Sequence, residues 1–203
     1  MPGSDRPLSE VEFVAFDLET TGLYADSDRI LEIGATRFRL SSPDIAHFEQ
    51  LVQPECAIPR EVIAIHGITD RMVLGQPTLA EVLPQFLQFL GSPDTILLAH
   101  NAPFDIGFVV AAMGRLGLSF PAHAVVDTVV LARTCLRGAG RYRLADLTAY
   151  LRLADREEHR GLSDARLVAG LFSKIVARTK SLRTVDDLYR LTPPLRFARG
   201  ARR

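Results

Sequence analysis

The sequence has little cysteine: Cys56 and Cys135 lie far apart in the chain, with no CxxC spacing. That scarcity argues against a disulfide framework or a structural zinc site and fits a reducing compartment. Net charge is missing too, since 24 Lys plus Arg balance 24 Asp plus Glu. A uniformly basic nucleic-acid coat is therefore excluded, although a local basic surface is not. Lysine is nearly absent, with only Lys174 and Lys180 among the cations, and we assign that bias no function. Residues 1–10 are polar and hold no apolar core of a signal peptide. No uncharged apolar run approaches the roughly 18 residues of a membrane span. These absences lead us to expect a cytoplasmic protein with no membrane partner.

What is present suits a folded domain. The chain has 203 residues, 47% of them hydrophobic and 24% charged, enough for a sizeable core and too apolar for wholesale disorder. Charge is unevenly placed: eight basic residues fall in 178–203 against Asp186 and Asp187, so an acidic body carries a basic tail. Such asymmetry points to a polyanionic or protein partner near the tail.

The hydrophobic pattern reads as three strands followed by alternating helices and strands. Residues 11–20 (VEFVAFDLET) form a first strand, and residues 29–40 a second, with Leu31, Ile33 and Ala35 alternating against Glu32, Gly34 and Thr36. Residues 41–44 read as a turn and 46–53 as a third strand, an antiparallel meander. The period then becomes helical over 78–90 despite Pro84, with a strand at 95–101, a helix over 104–116, a fifth strand at 122–126, and helices near 128–136 and 144–151. Leu167, Val168, Leu171, Phe172, Ile175 and Val176 mark an amphipathic helix, with Ser163 read as its N-cap. The expected organisation is a polar lead (1–10), one mixed α/β domain (11–177) and a basic tail (178–203) with a short helix near 184–191.

Three clusters carry chemistry. Asp17 and Glu19 sit two apart on the first strand, so both carboxylates share one face. Asp105 follows Pro103 in the first turn of a helix. His159 and Asp164 lie five apart at the start of the last helix, His159 within the charged run DREEHR. Each has a bland reading: a strand end reaching solvent, helix-dipole acids, a solvated histidine. Together, four carboxylates and one histidine are what two-metal phosphodiester hydrolysis requires. Acidic oxygens suit two hard Mg²⁺ or Mn²⁺ ions, and a neutral imidazole can accept a proton near pH 7.

FDLETTG, HNAPFD and the His-x4-Asp of HRGLSDA occur in that order and resemble the three motifs of the DnaQ-like DEDDh family of 3′–5′ exonucleases. That family includes the epsilon proofreading subunit of bacterial DNA polymerase III. The resemblance runs over about 12–177 and implies a ribonuclease H-like fold. It also implies Asp17, Glu19, Asp105 and Asp164 as metal ligands and His159 as general base. The family's other branch has a tyrosine where this chain has Arg160. Further positions follow from the resemblance. His66 and Ile68 of IHGIT would line the pocket of the terminal base. Thr20 and Leu23 would grip the 3′ hydroxyl and wedge beneath the last base, and Asn101 and Phe104 would touch the strand.

The expected activity is hydrolysis from the 3′ end of single-stranded or frayed DNA to nucleoside 5′-monophosphates, in proofreading or repair. Its partners would be a nucleic-acid 3′ end and a DNA polymerase or other replication or repair protein reached through the tail. An exoribonuclease or oligoribonuclease on the same scaffold is the alternative, since no motif fixes the 2′ position. A catalytically silent binding module is a third reading, which loss of any catalytic residue would favour.

Overall fold

The computed structural model describes residues 5–119, 121–153 and 159–197. After a 3-10 turn (Leu8–Glu10), strands β1 (Phe13–Thr20), β2 (Ile30–Arg39) and β3 (Ser42–Leu51) form the meander. Helices α1 (Arg60–His66), α2 (Asp70–Val73) and α3 (Leu79–Leu90) follow, then β4 (Ile96–Ala99), α4 (Ala102–Leu116), β5 (Ala124–Asp127), α5 (Thr128–Cys135), α6 (Leu144–Tyr150), α7 (Gly161–Arg178), α8 (Val185–Leu191) and β6 (Leu195–Arg196). The sheet order is β3-β2-β1-β4-β5-β6. β1 and β2 pair antiparallel, whereas β4 runs parallel to both β1 and β5. Six strands flanked by helices bear out the mixed α/β expectation, with one strand more than the sequence suggested.

Both faces of the central strand are buried, by different helices. Val14, Phe16 and Leu18 join Phe86 of α3 and Phe108 of α4, while Phe13 and Ala15 join Phe172 of α7. The Phe13 and Phe172 rings lie 4.8 Å apart. Cover on both faces also explains β2, whose alternation suggested one polar face: Glu32 and Thr36 are wholly buried, because α7 lies across them.

Three boundaries differ from expectation. The turn read at 41–44 shrinks to two residues, since Arg39 already pairs with Ser42. Pro43 is accommodated because β3 is an edge strand. Helix α7 begins at Gly161 with Arg160 as N-cap, so Ser163 lies inside it and is not the cap. A carboxylate from β2 supplies the acceptor that Ser163 was expected to provide. The division at 177 is not a boundary in the structure. Leu182, Val185 and Leu188 are buried in the same cluster as α7, β6 adds to the sheet, and Phe197 is buried. The lead is fastened to this segment, since the Leu8 N–H donates to the Arg183 carbonyl and the Val185 N–H to that of Arg6. Residues 1–4 of the lead, residues 155–158 of the charged run, and Arg199, Arg202 and Arg203 of the tail lie outside the described residues.

Candidate active site

The site forms where the first turn of α7 meets the end of β1. Asp17 and Glu19 take the same face of β1 as Phe13 and Ala15, toward α7. How closely α7 approaches is set by glycine on both sides: a Cβ at Gly34 would overlap the Gly161 carbonyl carbon and the Leu162 nitrogen. Gly34 pairs with Asp17 across β1 and β2, so this backbone contact brings the start of α7 down beside Asp17. A buried acid secures it. Glu32, 0% exposed, accepts the Gly161 N–H at 2.9 Å and the Arg160 guanidinium at 2.7 and 3.1 Å. It thereby caps α7 from another strand and complements the helix dipole.

The result is an acidic cluster. Asp17, Glu19 and Asp164 each offer a carboxylate oxygen, and these oxygens lie within 4.8 Å of one another. Asp17 and Glu19 are half-buried and Asp164 is 1% exposed. Three acidic oxygens converging in a partly buried place form a hard-ligand set for divalent cations. Asp105 stands beside this group in the first turn of α4, 2% exposed, with Oδ1 buried and without a hydrogen-bond partner. Burial pushes its carboxyl up to about 8, partly offset by the backbone N–H groups of Asp105 and Leu18, and Asp127 raises it further. Leu18 lies between Asp17 and Glu19, so the fourth expected acid is next to the other three although outside their 4.8 Å group. A buried carboxylate with an orphaned oxygen is costly unless a cation meets it, and the donor set as a whole fits divalent metal.

His159 directly precedes the clamp residue Arg160. It is half-buried, with φ of 52°, a left-handed conformation that costs a non-glycine residue about 1 kcal/mol or more. His66 is brought to the same place from a distant part of the chain. Burial lowers its pKa, the Thr20 backbone and Glu32 draw it partly back, and His159 and Arg160 oppose them. Its Nδ1 accepts the Ile68 N–H at 3.0 Å, which leaves the proton on Nε2. Thr20 is buried and donates through Oγ1 to the Gly22 carbonyl at 2.6 Å. Leu23 is 74% exposed.

Ile68 does not reach the site: it is fully buried with Leu31, Ile58 and Val73, and we correct its expected place in a base pocket. Phe104 is half-buried against Phe108. Asn101 is exposed and left-handed, φ 67°, and its N–H donates to Asp127 at 3.1 Å. Sequence reasoning missed Glu32, Gly34, Gly161 and Asp127. A glutamate and a glycine among Ile30, Leu31, Ile33 and Ala35 were the available signals, the glycine indicating a close backbone approach.

The RNase_T family model, described as exonuclease, matches residues 14–172. The chain belongs to this exonuclease family. It is 41% identical over 169 residues to the DNA polymerase III subunit epsilon of Treponema pallidum, covering 82% of this chain and 77% of that one. A putative bifunctional exonuclease/endonuclease protein of Mycobacterium tuberculosis is 35% identical over 212 residues, with all of this chain covered but 32% of that protein. Against the PolC-type DNA polymerase III of Clostridium perfringens this exonuclease covers 12% of the relative's length. Among solved structures, exonuclease X in complex with 5′-overhanging duplex DNA matches at TM-score 0.67 and 26% identity, covering 89% of this chain and 98% of that one. Exonuclease I matches at TM-score 0.76 and 19% identity, covering 85% of this chain and 42% of that one. That likeness concerns the fold. Among the described residues no helix is long and apolar enough to cross a membrane.

Proposed function

We propose that this exonuclease is of the DEDDh type and works in the 3′–5′ direction, releasing nucleoside 5′-monophosphates from single-stranded or frayed DNA in proofreading or repair. The observation that carries the reading is the convergence of Asp17, Glu19 and Asp164 within 4.8 Å, with Asp105 beside them. These four acids would hold two divalent ions, Mg²⁺ or Mn²⁺. Such ions supply positive charge for the scissile phosphate and acidify the attacking water. His159 takes the proton from that water as general base. The strained backbone at His159 is held by its neighbour Arg160, which is fastened to Glu32. His66, Thr20 and Leu23 receive the terminal nucleoside, and Asn101 and Phe104 the residue before it. The DNA preference draws on the epsilon subunit of Treponema pallidum and on exonuclease X bound to DNA. We place the protein in the cytoplasm, with a polymerase or other replication or repair protein as partner at its basic C-terminal segment.

The test uses purified protein with Mg²⁺ or Mn²⁺ and 5′-labelled DNA and RNA strands of one sequence, each with a free or a blocked 3′ end. DNA should shorten stepwise from a free 3′ end and survive when blocked or when metal is chelated. Digestion of blocked strands would overturn the direction, and faster digestion of RNA would overturn the DNA preference.

A further inference from the structure

A second charged feature lies outside the acidic cluster. Residues 133–143, the end of α5 and its connection to α6, contain Arg133, Arg137, Arg141 and Arg143 and no acid. Arg133, Arg141 and Arg143 line a cleft of about 800 Å³ with Tyr142, His100 and Asn101, and among the described residues no carboxylate borders it. All three arginines are exposed, and among the described residues none takes part in an ion pair. The Arg133 guanidinium lies over the Tyr142 ring at 5.8 Å, a contact that orders both side chains. Unpaired cations gathered in a concavity create a positive field whose complement is a polyanion.

The cleft is tied to the active site. His100 Nε2 lies 3.0 Å from the Tyr142 carbonyl, and because a carbonyl only accepts, this nitrogen carries the proton and donates. The other ring nitrogen is 2.9 Å from the Thr128 hydroxyl. One imidazole thus joins the arginine segment, the start of α5 and the end of β4. Asn101 comes next in the chain, and Asp105 follows in the same helix turn. The cleft therefore opens on the Asn101 side of the acidic cluster.

We infer that the Arg133, Arg141 and Arg143 cleft holds the phosphate backbone of the substrate strand upstream of the nucleotide being removed. The inference rests on the exonuclease reading above. Acids gathered at the catalytic end repel a strand, and these arginines supply the attraction that seats it. Nucleic acid is favoured over an acidic peptide because Asn101, which lines the cleft, is the N-cap of the helix that carries Asp105 in its first turn.

The test compares the unaltered protein with the double variant Arg141→Gln, Arg143→Gln, whose exposed side chains have no partner among the described residues. Binding of a long labelled single DNA strand is followed by anisotropy in Ca²⁺ at increasing salt. Hydrolysis of a nitrophenyl ester of thymidine 5′-monophosphate, too small to reach the cleft, is followed in Mg²⁺. Loss of two phosphate contacts should flatten the log affinity against log salt slope by about 1.4 and weaken low-salt binding roughly tenfold, with ester hydrolysis unchanged. An unchanged slope and affinity would overturn the inference. So would unchanged DNA binding with lost binding of a poly-glutamate peptide, which would mark the cleft as a protein-docking surface. If the unaltered protein neither binds nor shortens DNA, the exonuclease reading itself fails, and the control separates that result from failure of the cleft.

Discussion

Glu19 and Glu32 stand opposite each other across β1 and β2, on the same face of the sheet, and the fold uses them in opposite ways. Glu32 is surrounded by donors from the chain itself: the Arg160 guanidinium and the Gly161 N–H. Glu19 is gathered with Asp17 and Asp164, a grouping of like charges that raises the free energy of the metal-free fold. One carboxylate is compensated from within and locks two elements together. The other belongs to a group whose oxygens could hold a metal ion. Compensation at Glu32 is what allows crowding at Glu19, since the clamp fixes the helix turn that carries Asp164.

The sharpest way to break this contrast is to neutralise the two sides in turn. Asp17→Asn or Asp164→Asn should abolish turnover in a strand-shortening assay. The metal-free melting temperature should hold or rise, because repulsion is relieved. Near-normal activity in either variant would remove the acids from the mechanism.

His159→Ala probes the residue between the two regions. Turnover should fall by about 10²–10⁴, whereas Mn²⁺ affinity, measured by calorimetry, should change little because the imidazole is not proposed as a ligand. A variant that keeps near-normal turnover would assign the base elsewhere.

On the clamp side the sign of the stability change should reverse. Glu32→Gln should cost about 1–3 kcal/mol, because the charged partner is lost while the Arg160 and Gly161 donors remain. Gly34→Ala should cost a similar amount through backbone overlap with Gly161, and should also reduce activity by lifting Asp164 away from Asp17. Denaturant melts of Asp17→Asn and Glu32→Gln side by side test the comparison. A shared sign would end it.

A pH-linked contrast concerns Asp105. Its carboxyl is pushed up to about 8 by burial, so the metal-free native state keeps a proton that the unfolded chain releases near pH 4. Stability of the metal-free protein should therefore fall as pH rises from about 4 to about 8, by at most about 1.4 kcal/mol per unit. Asp105→Asn should flatten that slope, and Mg²⁺ should oppose it by favouring the ionised form. His123, buried and with its pKa lowered chiefly by desolvation, acts with the opposite sign: it remains neutral in the native state and costs stability as pH falls below 6.5.

The sequence by itself determined the elements and the faces they present. Alternation in VAFDLET put Asp17 and Glu19 on one side of a strand, and the apolar stripe from Leu167 to Val176 identified the helix that packs there. Both readings depend on interactions between near neighbours, where periodicity is reliable. The meeting of those faces was decided only by the tertiary structure. Glu32 and Arg160 are 128 positions apart, Gly34 and Gly161 touch backbone to backbone, and His66 comes beside His159 from the other side of the sheet's sequence order. The same packing placed Ile68 in the core. It also drew Leu182, Val185 and Leu188 into the cluster beneath α7, where local charge had suggested a tail. Local pattern records which side of an element prefers water, whereas burial of one element by another depends on chain closure over long separations, and no short window of sequence contains the partner.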